Sequence, residues 1–132
     1  MTFALHPGLA ADTAFIADWP LCRVLLMNDA RYPWLILVPR RAGAVEIMDL
    51  AAADRSMLME EITRASGIVR SLTDVIKLNL GALGNVVPQL HIHVLGRRIG
   101  DPAGPGPVWG HSPARPYEAS ARDGLIALVR SL

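Results

Sequence analysis

The sequence predicts an α+β domain in which one long helix packs on an antiparallel β-sheet. Three observations carry that prediction. Apolar runs suited to strands follow one another before Gly43, joined by short, turn-rich loops, which favours antiparallel pairing. Leu58, Ile62, Ala65, Val69 and Leu72 then recur at steps of four and three, the spacing of a single apolar helical stripe. Finally, polar and apolar residues alternate from Pro88 to Gly96, as they do in a half-buried strand.

Taken in order, His6-Pro7-Gly8 reads as a turn and Thr13 to Ala17 as a short strand. Asp18-Trp19-Pro20 turns the chain into Leu21 to Met27, apolar enough for a buried strand. Asn28 to Pro33 has the composition of a loop. Trp34 to Val38 is a third strand, closed by Pro39, and Gly43 ends the sheet run. Asp49 is the expected N-cap of a helix over Ala51 to Leu72, with Glu60, Glu61, Arg64 and Arg70 off its apolar stripe. Val75 to Leu80 is a fourth strand, Gly81 to Asn85 a permissive loop, and Pro88 to Gly96 the next strand. A Pro/Gly-dense tail begins at about residue 99, and Ala119 to Arg130 forms a last helix.

The 132 residues make one domain, 1–132, with 52% hydrophobic and 19% charged content. That balance excludes a disordered chain. A net charge of +1 gives no broad field for nucleic acid. The pairs Arg40-Arg41 and Arg97-Arg98 are local and can serve a small anion, although Arg97 and Arg98 read first as a solvated strand end. The one cysteine, Cys22, rules out an internal disulfide framework and reads as a small core residue. With no signal-peptide pattern and no apolar run of membrane-spanning length, a cytoplasmic location without membrane contact is expected.

In the Pro88–Gly96 strand, Leu90, Ile92 and Val94 would face a core, with Gln89, His91 and His93 in a row on the opposite face. Two imidazoles in register can act on one substrate group near neutral pH. A metal site is one reading, but it needs a third ligand, and Val94 to Asp101 contains no Glu. Covalent nucleotidyl or phosphoryl transfer is another, with one imidazole attacking phosphorus and the Gly81–Asn85 loop offering backbone N–H groups to phosphate. A nucleotide-binding module without turnover would use the same pocket. A solvated pair of polar residues on a sheet face is the fourth reading.

The run Gln89-Leu90-His91-Ile92-His93-Val94-Leu95, with the glycine loop before it, resembles the histidine-triad (HIT) superfamily of nucleotide hydrolases and transferases. Its signature alternates three histidines with apolar residues, and Gln89 stands where the first histidine falls. The resemblance implies a HIT-like fold, a homodimer, a purine-nucleotide substrate and no cofactor or catalytic metal. It implies His91 as the nucleophile toward the α-phosphorus and His93 as the group that contacts phosphate and assists the leaving group. It places Gln89 as an orienting amide and Asn28 at the ribose hydroxyls. Asn79, Gly84 and Asn85 fall on positions near the phosphate. Val86 replaces a hydroxyl residue common in relatives, and Trp34-Leu35 replaces a Gly-His or Thr-His pair. Trp109 and His111 lie in a tail that can fold over the pocket or cross to a partner.

Overall fold

A computed structural model describes residues 2–132. It contains α1 (Pro7–Asp12), β1 (Thr13–Asp18), β2 (Cys22–Met27), β3 (Trp34–Pro39), a 3-10 turn (Ile47–Asp49), α2 (Ala52–Leu72), β4 (Lys77–Gly81), β5 (Ile92–Arg97) and α3 (Ala119–Arg130). The strands form one antiparallel sheet in the order β1-β2-β3-β5-β4. The expected α+β architecture, a long helix on an antiparallel sheet, is therefore present.

Both faces of this sheet are covered. One face meets α2 and α3 through a core that includes Val24, Leu35, Val94, Leu58, Ala65, Val69, Ile126 and Val129. Contact there is close. A Cβ added at Gly96 would lie 3.1 Å from Val69 Cγ1 of α2, and nearer still to Val75 Cγ2 and Pro33 Cγ in the adjoining loops, at 2.5 and 2.9 Å. On the other face, Leu25, Trp34, Ile36 and Leu95 pack beneath Leu9 of α1 and beneath Ala103 and Val108. The segments read as an N-terminal turn and a Pro/Gly tail thus form a roof, and the histidine face is roofed rather than solvated.

Several local readings change. His6-Pro7-Gly8 is the start of α1, where Pro7 suits the first turn and the Gly8 N–H donates to His6 Nδ1 at 2.9 Å. Asp49 does not cap α2. Its carboxylate accepts from the Val45 and Glu46 N–H groups around the 3-10 turn, while Ala51 occupies the α2 N-cap with no side-chain bond. Glu61 is buried, not off the stripe, and accepts from the Leu21 and Cys22 N–H groups at 2.9 and 2.8 Å. It satisfies backbone donors at the bend entering β2, which an apolar side chain could not do. Cys22 is fully buried, and burial pushes its thiol up. Arg40 and Arg41 hold the Trp19 carbonyl and the Asp54 carboxylate rather than waiting for an anion.

Candidate active site

β5 lies between β3 and β4, with His93 opposite Ile36 on one side and Gly81 on the other. His91 immediately precedes the strand, and its ring meets that of His93 at 5.0 Å in an edge-to-face arrangement. Both histidines are buried, at 7% and 8% exposure. They line a cavity of about 520 Å³ together with Asp12, Met27, Gly84, Asn85 and Trp109.

Each imidazole has one nitrogen fixed by a neighbour. His91 Nδ1 lies 2.7 Å from the Gln89 carbonyl oxygen. A carbonyl only accepts, so Nδ1 carries the proton, and in the neutral ring Nε2 keeps its lone pair. For His93 the assignment reverses. The Trp34 indole N–H donates to His93 Nδ1 at 3.1 Å, and indole is donor only. The neutral His93 ring therefore carries its proton on Nε2. Burial, and after it the neighbouring His91, bring the His93 imidazole down to about 4, so His93 is neutral at pH 7. The pair thus offers one unshared nitrogen and one N–H.

The cavity wall is completed from both ends of the chain. Trp109 packs its ring 5.5 Å from that of His93, and its indole Nε1 is buried without a partner among the described residues. The tail does fold over the pocket. It is held by Arg97, which is not a solvated strand end. Its guanidinium pairs with the Asp101 carboxylate at 2.8 Å and donates to the Gly104 and Gly106 carbonyls. Arg97, foremost by hydrogen bonding, holds the Asp101 carboxyl down to about 2. Gly84 adopts φ +73, a conformation that glycine reaches without a side-chain clash. The Gly84 and Asn85 N–H groups donate to no protein acceptor among the described residues.

The predicted site residues separate into two groups. His91, His93, Gly84 and Asn85 come together around the cavity. Gln89, Asn28 and Asn79 do not line it. The Gln89 side chain is engaged away from the cavity, so the expected row of three side chains does not form. Its amide instead ties down the N-terminal segment, with Oε1 accepting from the His6 N–H and Nε2 donating to the Ala4 carbonyl, both at 2.8 Å. Asn28 Oδ1 accepts from the Tyr117 N–H, and Asn79 Oδ1 accepts from Arg97. His111 is exposed and meets Ser112.

Asp12, Met27 and Trp34 were missed by the sequence reading. Asp12 ends a helix too short to leave a periodic signal. The signal at Trp34 was its replacement of a small or polar residue common in relatives, which the structure converts into a donor to His93.

A model of the HIT domain matches residues 9–100. The chain belongs to the HIT domain family. Similar solved structures agree along the whole HIT chain. A histidine triad protein from Bradyrhizobium japonicum is 46% identical, with a TM-score of 0.96 over 99% of this chain and 98% of its own. One from Marinobacter aquaeolei is 44% identical, with a TM-score of 0.96 over 99% and 96%. One from Sinorhizobium meliloti is 43% identical, with a TM-score of 0.95 over 98% and 96%. No curated protein matches the chain.

Proposed function

We propose that this HIT protein is a nucleotide hydrolase or nucleotidyl transferase that works at the α-phosphorus through a nucleotidyl-histidine intermediate. The observation that carries the reading is the opposed pair of tautomers on His91 and His93. His91 Nε2 attacks the α-phosphorus, and the bond from phosphorus to the leaving amine or phosphate breaks. The attacking ring gains positive charge, which the Gln89 carbonyl meets at Nδ1–H. His93 donates Nε2–H to a phosphate or leaving-group oxygen without giving up its proton. The leaving group takes its proton from solvent. Water or an acceptor alcohol then attacks the same phosphorus and frees His91 with the nucleotide released or transferred.

The glycine loop supports this reading by leaving the Gly84 and Asn85 N–H groups free for phosphate oxygens. Asp12 stands at the cavity wall as the acceptor for ribose hydroxyls, since the Asn28 side-chain Oδ1 is engaged by the Tyr117 N–H. Purine nucleoside phosphoramidates and dinucleoside polyphosphates are the proposed substrates. Gln89 stands at the first triad position and acts by fixing the chain whose carbonyl holds His91. No titratable group is needed there. A homodimer is proposed from β4, an edge strand with no strand beside its outer edge among the described residues and with Leu80 51% exposed. Light scattering checks it, and a mass of 14.3 kDa at micromolar concentration would contradict it.

The test is turnover of AMP phosphoramidates and dinucleoside polyphosphates with and without EDTA. EDTA-resistant release of AMP is expected. Saturable binding without release would instead select a nucleotide-binding module.

A further inference from the structure

A second cavity, of about 640 Å³, opens beyond the end of β5 away from the histidines and shares no lining residue with their pocket. Three arginines from distant segments line it, Arg31, Arg98 and Arg115. Like charges brought to one cavity repel, so their gathering needs a cause. Part of that cause is Asp29, 1% exposed. Its carboxylate accepts from Arg31 Nε at 2.9 Å, from Arg31 Nη2 at 2.8 Å and from the Arg31 N–H at 3.1 Å. The Arg115 N–H reaches the same carboxylate at 3.4 Å, and the Arg115 carbonyl accepts from the Ala30 N–H at 2.7 Å. Arg98 Nη2 donates to the Arg31 carbonyl at 2.7 Å.

The three heads are not equivalent. Arg31 is occupied by Asp29 and by Ser112. Arg98 keeps Nε and Nη1 without a protein acceptor, and the Arg115 guanidinium has none, among the described residues. Two carboxylates also line the cavity. Asp101 is committed to Arg97, and Asp74 is a second carboxylate in the lining, without an ion-pair partner among the described residues.

We propose that this cavity binds a small anion of the phosphate class, with Arg98 and Arg115 as ligands and Arg31 as the positioning group. Guanidinium forks match tetrahedral oxyanions through paired charge-assisted hydrogen bonds. Asp29 fixes the Arg31 side chain and the Arg115 backbone, and the Arg31 carbonyl holds Arg98, an order set in advance that removes part of the cost of assembling such a site. Free phosphate and a phosphate ester present the same oxygens, so both serve as probes.

The experiment is calorimetric titration with inorganic phosphate and with glycerol phosphate at low ionic strength. Wild type, His91→Ala, Arg115→Gln and the double variant Arg98→Gln/Arg115→Gln are compared. Saturable binding is expected in wild type and unchanged in His91→Ala. It should weaken about tenfold in Arg115→Gln and vanish in the double variant. Arg115 is exposed, so its variant keeps the wild-type melting temperature. Tighter binding of glycerol phosphate would name an ester as the ligand, and tighter binding of phosphate would name the free ion. Absence of saturable binding, binding indifferent to Arg115→Gln, or binding lost in His91→Ala would each overturn the proposal.

Discussion

Lowering the pH from 7 to 4 should cost this fold an unusual share of its stability, and most of that share belongs to His93. The ring is buried against Trp34, Trp109 and His91, and its imidazole is held down to about 4. In an unfolded chain it returns to about 6.5. Between those values the unfolded state binds the proton and the folded state does not. Stability therefore rises with pH across the window, is complete above about 6.5, and is lost as pH falls through about 4. A gap of about 2.5 units at ~1.36 kcal/mol each gives a loss of about 3 kcal/mol by pH 4, large beside a usual domain stability of ~5–15 kcal/mol. The assay is urea unfolding from pH 7 to pH 4 on wild type and on His93→Gln, whose amide oxygen can still accept from the Trp34 indole. The lowered carboxylates Asp18, Asp29 and Asp101 are present in both proteins, so the difference between the curves isolates the imidazole. Wild type should lose about 3 kcal/mol more than the variant. Parallel curves would refute the assignment of a buried, neutral His93.

Other perturbations read other parts of the structure. Gln89→Ala removes two hydrogen bonds to the N-terminal segment and should lower stability by about 1–2 kcal/mol, with kcat within a few-fold of wild type because the Gln89 carbonyl remains. A large fall in kcat at unchanged stability would place the amide in the chemistry. Gly96→Ala drives a methyl into Val75, Pro33 and Val69 and should cost about 1–3 kcal/mol in denaturant unfolding. A neutral result would show that Val75, Pro33 and the Val69 turn of α2 yield freely around this position. Glu61→Gln leaves one oxygen for two buried N–H donors and should cost about 1–3 kcal/mol. An unchanged unfolding midpoint would mean that the β2 bend finds other acceptors.

The sheet and both long helices were legible because their apolar residues repeat at the strand and helix periods over enough positions. The histidine pair was legible for a related reason, since Ile92 and Val94 mark the core side of β5 and assign His93 to the other. What could not be read was long-range. Nothing in the run Gln89-Leu90-His91 reveals that β5 begins at Ile92, because alternation continues one period beyond the hydrogen-bonded ladder. Gln89 accordingly was grouped with the histidines, although its amide is used by residues 83 and 85 positions away. The same holds for Glu61, a charged residue whose burial depends on two backbone donors about forty positions upstream. Arg97 looked like a solvated strand end because its partner, Asp101, sits in a segment whose proline and glycine content signals a loose tail. In the fold that segment is a roof, and the ion pair fastens it.

The central claim is that His91 becomes covalently nucleotidylated, and the most direct measurement is intact-protein mass spectrometry of an acid-free quench. Wild type mixed with an AMP phosphoramidate or a dinucleoside polyphosphate should gain the mass of one nucleotidyl group during turnover, mapped to the peptide that carries His91 and lost on mild acid treatment. His91→Ala should gain nothing and lose several decades of kcat, while binding nucleotide within a few-fold of wild type. Turnover at wild-type rates in His91→Ala, or an adduct mapped to any other residue, would contradict the account.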